Sequence, residues 1–197
     1  MKVIIIGAGL SGLSTAIALR KYINTPLDIK VFGKPDEESF NPNGTPDFKE
    51  HARNLGAGIG LQSNGLRVLN NLDPKLRDRV YTSGFPCTHF KWKTSGDVLL
   101  SREYVDVLPI SRPLLIDCLL ESLPKGMVEY RTVNEVVVRV GEMPLVRFED
   151  GGEECVDLVV GADGIRSVVR RGIFGDDESY KPEYLYACWY IQLRNIC

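Results

Sequence analysis

A glycine-rich turn close to the N-terminus is the feature that most constrains the fold of this 197-residue chain. The segment Lys2–Ile6 is a short, β-branched run that ends at a glycine, which predicts a buried parallel strand. Residues 7–12 then read Gly-Ala-Gly-Leu-Ser-Gly, and Leu10–Tyr22 carries apolar residues at helical spacing. Leu27–Phe32 predicts a second strand. This order of strand, G-x-G-x-x-G turn, helix and strand indicates a βαβ unit that binds a dinucleotide at its turn.

Each glycine of the turn has a separate predicted role. Gly7 makes the tight turn, Gly9 lets a pyrophosphate approach the backbone, and Gly12 lets the helix lie close to the strand. The free amides and the positive end of the helix then face the phosphates. The candidate contacts are Gly7, Ala8, Gly9, Leu10, Ser11 and Gly12. The alternative is a glycine turn without a ligand.

A carboxylate usually ends the second strand of such a unit, where it binds the ribose hydroxyls. In this chain the position falls on Gly33. Asp36, Glu37 and Glu38 follow in a loop rich in proline and acidic residues. They either reach the ribose from that loop or are solvated charges.

The remaining pattern alternates between short strands and helices. Strands are predicted at Ala57–Leu61, Thr88–Lys93, Val98–Ser101, Val128–Arg131, Glu135–Val140, Leu145–Phe148 and Leu158–Val160, and helices at Asn64–Leu72, Arg112–Leu123 and Gly164–Arg171.

Composition excludes several classes of protein. The net charge is −2 and the basic residues are dispersed, so the sequence gives no indication of a nucleic-acid partner. The five cysteines show no C-x-x-C spacing, which favours free thiols in a reducing cytoplasm over disulfides or zinc. No apolar run approaches the roughly 18 residues of a membrane span. His51 and His89 lie too far apart to suggest a metal site.

A second glycine-bearing motif discriminates between dinucleotide-binding families. Residues 157–170 read Asp-Leu-Val-Val-Gly-Ala-Asp-Gly-Ile-Arg-Ser-Val-Val-Arg. This segment resembles the "DG" motif of the class A flavoprotein monooxygenases, the group of para-hydroxybenzoate hydroxylase and salicylate hydroxylase. The resemblance implies that Asp163 and Gly164 help to hold FAD and influence NAD(P)H binding. The alternative is that Asp163 only caps the following helix.

Two further segments are similar to the same family. Residues 56–69 resemble its Gly-Ala-Gly-Ile strand and the helix after it, which implies that Ala57 and Gly58 lie beside the flavin. Residues 110–115 resemble its Arg-x-x-Leu helix start, which implies that Arg112 contacts FAD. The alternative for Arg112 is a surface arginine.

The resemblance carries expectations for fold, domains and activity. It implies an α/β, Rossmann-like FAD-binding βαβ fold with a mixed sheet and inserted β-strands, similar to glutathione reductase. Residues 1–175 would form the FAD-binding domain, and residues 176–197 would begin a substrate domain. The implied enzyme uses FAD, NAD(P)H and dioxygen to hydroxylate a small, aromatic substrate. Because the cofactor carries the chemistry, neither a catalytic residue nor a metal is predicted.

The family's third motif, Gly-Asp with nearby Ala, His and Pro, does not occur in these 197 residues. We therefore expect a C-terminally truncated, incomplete fold with weak FAD retention and poor solubility, because strand edges and apolar faces would lack partners. Two alternatives stay open at this point. One is an inactive fragment with residual FAD binding. The other is an NAD(P)-dependent dehydrogenase, which the "DG" motif disfavours.

Overall fold

The computed structural model describes residues 1–35, 58–94 and 97–175. Its strands are β1 (Lys2–Ile6), β2 (Asp28–Gly33), β3 (Gly58–Gln62), β4 (Cys87–Thr94), β5 (Asp97–Ser111), β6 (Val128–Tyr130), β7 (Val133–Val137), β8 (Leu145–Phe148), β9 (Glu153–Cys155) and β10 (Leu158–Gly161). Its helices are α1 (Leu10–Tyr22), α2 (Ser63–Leu72), α3 (Pro74–Ser83), α4 (Arg112–Leu120) and α5 (Val168–Phe174), and a 3-10 turn at Gly164–Arg166 precedes α5.

A parallel sheet forms the centre of the molecule, with its strands in the order β10-β1-β2-β6. β1 pairs with β2 on one side and with β10 on the other, so that Ile4 lies between Lys30 and Val159. The predicted βαβ unit is therefore confirmed. The remaining strands form two antiparallel sheets, β3-β5-β4 and β7-β8-β9.

The parallel sheet buries apolar side chains on both faces, which explains why β1 reads as a continuous apolar run. Successive side chains of a strand point to opposite faces. Val3 and Ile5 accordingly join the core formed with helices α1 to α4, whereas Ile4 and Ile6 join a second core under β7 and β8. In this second core the rings of Phe32 and Phe148 meet edge to face, with their centroids 4.8 Å apart.

These layers confirm the predicted α/β class, a Rossmann-like parallel sheet with inserted antiparallel strands. In the part of the chain that the structure describes, the parallel and antiparallel strands belong to separate sheets. The proposed second domain, residues 176–197, lies outside the described residues. Among the helices of the described ranges, none has the length and apolarity that crossing a bilayer requires.

Several predicted boundaries need correction. The strand predicted at Val98–Ser101 extends over Asp97–Ser111, because β5 continues past β4 to pair with β3. The strand predicted at Glu135–Val140 ends at Val137. The helix predicted at Arg112–Leu123 ends at Leu120.

The predicted helix Gly164–Arg171 is also wrong as a single element. The chain forms a 3-10 turn first, and α5 begins only at Val168. Two side chains set this start: the hydroxyl of Ser167 accepts from the amide of Arg170, and the carboxylate of Asp163 accepts from the amide of Val168. Side-chain caps of this kind fix where a helix begins.

Candidate nucleotide-binding site

The two glycine-bearing turns are in direct backbone contact. The amide of Ala162 donates to the carbonyl of Ile6 at 2.7 Å, because β10 pairs with β1 up to the end of both strands. Gly7 has φ +114°, and a Cβ at this position would overlap the carbonyl oxygen of Ala162 and lie 2.9 Å from the amide of Asp163. The motifs near residues 7 and 163 therefore converge at the carboxyl edge of the parallel sheet, as expected if both hold the same dinucleotide.

Within the first turn, Gly12 and Gly9 have opposite surroundings. A Cβ at Gly12 would overlap the carbonyl oxygen of Gly7 and lie 3.3 Å from the side chain of Ile5. This glycine therefore lets α1 pack on β1. Around Gly9, by contrast, no atom of the described residues lies within 4 Å of an added Cβ. Open space thus borders the backbone where the motif predicts a phosphate.

The start of α1 is electrostatically suited to an anion. Gly9 occupies the N-cap position, no side chain of the described part of the protein caps the helix, and its first turn contains no acidic residue. The amides of the first turn therefore keep their partial positive charge. Ala8 and Leu10 are half-buried against the core that Val3 and Ile5 form with helices α1 to α4, called the helix-side core from here on. Ser11 is exposed.

A cleft of about 380 Å³ opens beside the two turns. Gly7 lines it from the first motif, and Asp163 and Gly164 line it from the second. Phe32 and Val133 contribute apolar walls. The cleft lies outside the carboxyl ends of parallel strands, which is where α/β sheets bind nucleotides.

The carboxylate of Asp163 performs the capping role that the sequence left as an alternative. Its Oδ2 accepts from the amides of Val168 at 2.6 Å and Val169 at 3.3 Å. Its Oδ1 makes no hydrogen bond within the described ranges, so one oxygen stays free for a ligand. Gly164 has φ +74°, and within residues 1–35, 58–94 and 97–175 no atom lies within 4 Å of an added Cβ. A role of these two residues in cofactor binding remains a prediction.

Comparisons with known proteins show which proteins this chain is similar to. No protein-family model matches the chain. It is 31% identical over 206 residues to 3-amino-4-hydroxybenzoate 2-monooxygenase of Streptomyces cremeus, a match that covers 91% of this chain and 44% of that relative. It is 26% identical over 200 residues to salicylate hydroxylase of Pseudomonas putida, covering 96% of this chain and 42% of that relative. These matches relate the chain to FAD-dependent monooxygenases.

A solved structure with bound FAD shares this fold. A substituted form of Klebsiella pneumoniae HpxO complexed with FAD superimposes with a TM-score of 0.68 at 25% identity, covering 87% of this chain and 42% of that chain. None of these names supports the dehydrogenase alternative. The chain spans about two fifths of the length of the relatives that it matches.

The remaining predicted cofactor contacts form a second group. Gly58 pairs with Ser111 between β3 and β5, so Arg112 begins α4 beside Gly58. Both residues are exposed, and neither lines the cleft. Ala57 lies outside the described residues.

Three basic residues that line the cleft were not predicted from the sequence: Lys34, Arg131 and Arg166. The amide of Arg131 donates to the carbonyl of Gly33 at 2.8 Å, which sets residues 34 and 131 side by side. Arg131 directly follows β6, so the rule that sites lie at carboxyl ends of parallel strands could have revealed it.

The guanidinium of Arg131 has a fixed position. It donates to both carboxylate oxygens of Asp150, at 2.6 and 2.7 Å, and lies 3.7 Å from the ring centroid of Phe148. The hydrogen bond from Arg131, together with the amide of Gly152, lowers the pKa of Asp150 from 3.8 to about 2. The same carboxylate raises the pKa of Arg131.

Proposed function

We propose that this chain forms the FAD-binding part of a monooxygenase that uses NAD(P)H and dioxygen to hydroxylate a small aromatic substrate in the cytoplasm. The observation that carries the proposal is the backbone contact between Gly7 and the turn at Ala162 and Asp163, because it joins two sequence motifs around one cleft. The relatives' names specify 3-amino-4-hydroxybenzoate and salicylate. A hydroxylated benzoate is therefore the substrate class that we propose.

The two glycine-bearing turns beside the cleft fit the pyrophosphate of FAD. Where the structure describes the chain, no atom fills the space next to the backbone of Gly9 or Gly164, and no side chain caps the start of α1. A doubly charged pyrophosphate would replace the missing caps of α1. We assign the pyrophosphate to residues 7–12 with Asp163 and Gly164. We assign the flavin to Ala57, Gly58 and Arg112.

In this proposal the protein binds and orients the cofactor and shields it from water. FAD, when bound, supplies the exchange of electrons with NAD(P)H and dioxygen. The turn amides fix the phosphates relative to the sheet. The apolar walls at Phe32 and Val133 exclude water from one side of the cleft. No residue of the described chain is assigned a proton transfer or a covalent step.

A pair of glycine variants tests cofactor binding. Gly9→Ala adds a methyl group in open space, so the fold should lose about 1 kcal/mol or less, whereas FAD should bind at least tenfold more weakly. Gly65→Ala in α2 is the matched control, since its Cβ would meet only a leucine methyl group at 3.7 Å. Titration of the purified chain with FAD, followed by flavin fluorescence, measures the affinity.

Two results would contradict the proposal: wild-type protein that binds neither FAD nor 5′-ADP, or a Gly9→Ala variant that binds FAD as tightly as the wild type. Oxidation of NADH and NADPH with added FAD then separates turnover from binding. Flavin binding without any oxidation would identify the chain as a nucleotide-binding fragment.

A further inference from the structure

We propose that Asp150 is a positioning residue for nucleotide binding: it holds the guanidinium of Arg131 flat against Phe148, as a platform on which the base of the nucleotide stacks. This inference rests on the proposed nucleotide-binding function of the cleft. In that proposal the pyrophosphate lies at the two glycine-bearing turns, and the flavin lies beside Gly58 and Arg112, which do not line the cleft. The adenosine half of the cofactor is therefore the part that contacts the cleft walls.

The guanidinium of Arg131 is held by three fixed groups. Asp150 accepts from its Nε at 2.6 Å and from its Nη2 at 2.7 Å, and the amide of Gly152 donates to the same carboxylate at 2.9 Å. Gly152 also leaves room for the guanidinium, because a Cβ there would overlap Nη2. The ring centroid of Phe148 lies 3.7 Å from the central carbon of the guanidinium. These contacts fix both the position and the plane of the group.

The second face of this guanidinium belongs to the cleft wall. Phe148 is only 3% exposed and covers the face towards the second core, whereas 30% of the Arg131 side chain is exposed. Because Arg131 lines the cleft and Phe148 does not, the exposed part of the arginine faces the cleft. The amide of Arg131 also donates to the carbonyl of Gly33, another lining residue. A flat group that enters the cleft therefore meets a flat wall.

The charges around Arg131 favour a base over a phosphate at this wall. Two of its donors are engaged by Asp150, and a carboxylate oxygen of Glu154 lies 3.8 Å from its Nη1. A phosphate at the edge of the guanidinium would therefore meet two carboxylates. The planar face differs from the edge, because guanidinium planes stack on nucleobases without needing an opposite charge. Phe32 and Val133 continue the wall with apolar surface.

The experiment compares two nucleotides that carry the same diphosphate and different bases. The full chain is titrated calorimetrically with 5′-ADP and with 5′-UDP. The larger purine covers more of a planar platform, so we expect 5′-ADP to bind about ten or more times more tightly than 5′-UDP. The preference should persist in about 0.5 M salt, because both nucleotides carry the same charges and are screened alike.

Two variants separate a stacking platform from a structural ion pair. Arg131→Lys keeps the positive charge beside Asp150 but loses the planar face, and Asp150→Asn removes the charge that holds the guanidinium in place. In both variants the preference for 5′-ADP should fall to about threefold or less, because the base loses its platform. The affinity for 5′-UDP should stay within about twofold of the wild-type value, since the diphosphate contacts are unchanged.

The matched controls repeat both changes in an ion pair outside the cleft. Arg147 donates through its Nε to Glu153 at 2.8 Å, and it does not line the cleft. Its side chain points away from the second core, since its neighbours Val146 and Phe148 point into that core. Arg147→Lys and Glu153→Gln should keep the full preference for 5′-ADP. Far-UV circular dichroism verifies that all four variants fold.

The outcomes separate this inference from the proposed function. If the wild-type protein binds 5′-ADP and 5′-UDP equally tightly, the inference is wrong while nucleotide binding stands. A preference that persists in Arg131→Lys or in Asp150→Asn also overturns it. So does an equal loss of affinity for both nucleotides, which is what a purely structural role of the ion pair predicts. If neither FAD nor either nucleotide binds, both proposals fail together.

Discussion

Two glycines of one motif illustrate how a single residue type serves different physical needs. Gly12 is required by packing, since a Cβ there would overlap the backbone of Gly7. Gly9 is required, in our proposal, only by the ligand, since its surroundings are open. A change at the first position should therefore affect folding, and a change at the second should affect binding.

The consequence for Gly12 can be measured directly. Gly12→Ala should lower the free energy of unfolding by about 3 kcal/mol or more, because the obstructing atom is backbone and cannot rotate away. Gly65→Ala should instead stabilise the protein by about 0.5–1 kcal/mol, as expected for glycine replaced within a helix. Urea denaturation compares the two variants. A Gly12→Ala protein as stable as the wild type would show that α1 does not pack on β1 as described.

At the scale of elements, Arg131 connects the central sheet to the antiparallel sheet above it. Its backbone continues from β6, and its guanidinium binds Asp150 in the turn between β8 and β9. The same guanidinium covers the ring of Phe148 in β8. One side chain thereby holds the cleft wall against the second core.

This link gives a pH dependence of stability. The pKa of Asp150 is lowered in the folded protein, from 3.8 to about 2. The ionised carboxylate therefore stabilises the folded state fully above pH ~4, and this stabilisation is lost as the pH falls towards 2. We expect Asp150→Asn to have a lower urea midpoint than the wild type at pH 7. The difference should close between pH 4 and 2.

The control is Glu149→Gln, which removes an adjacent exposed carboxylate that is placed in no ion pair with Arg131. Urea midpoints measured across this pH range test the prediction. A gap between Asp150→Asn and wild type that persists unchanged at pH 2 would argue against the ion pair. High salt should narrow the gap, because the pair is solvent-accessible.

The helices and strands also show which sequence patterns were sufficient to predict where an element begins and ends. β1 and α1 were predicted with their observed ends, because a glycine bounds the strand and apolar spacing marks the helix. α3 was missed although Asp73 caps it and Pro74 begins it, since its apolar face is short. The split before α5 depends on a side chain of Asp163 reaching five residues along the chain, and local periodicity does not report such contacts.

At the scale of the whole molecule, the parallel sheet is shared by two cores. Val3 and Ile5 belong to one, and Ile4 and Ile6 to the other. The sequence predicted the buried strand and a cofactor-binding role for each of its two glycine motifs. It could not predict Lys34, Arg131 and Arg166 as neighbours of one cleft, because their proximity depends on strand order and long-range pairing.

Because both cores use β1, we expect them to unfold together. Leu76→Ala in the helix-side core and Val146→Ala in the second core should each lower the free energy of unfolding by about 2–4 kcal/mol. Both variants should still unfold in one transition by far-UV circular dichroism and by hydrodynamic radius. Two resolved transitions in either variant would show that the cores are independent.

The pairing of β1 with β10 has a consequence for biosynthesis. The amide of Lys2 donates to the carboxylate of Asp157, 155 residues further along the chain. A ribosome that adds about 5–20 residues per second needs roughly 8–30 s to deliver that partner. Throughout this interval the nascent polypeptide carries an apolar strand with an open edge. Its yield in cells should consequently depend on how well chaperones shield the first residues during translation.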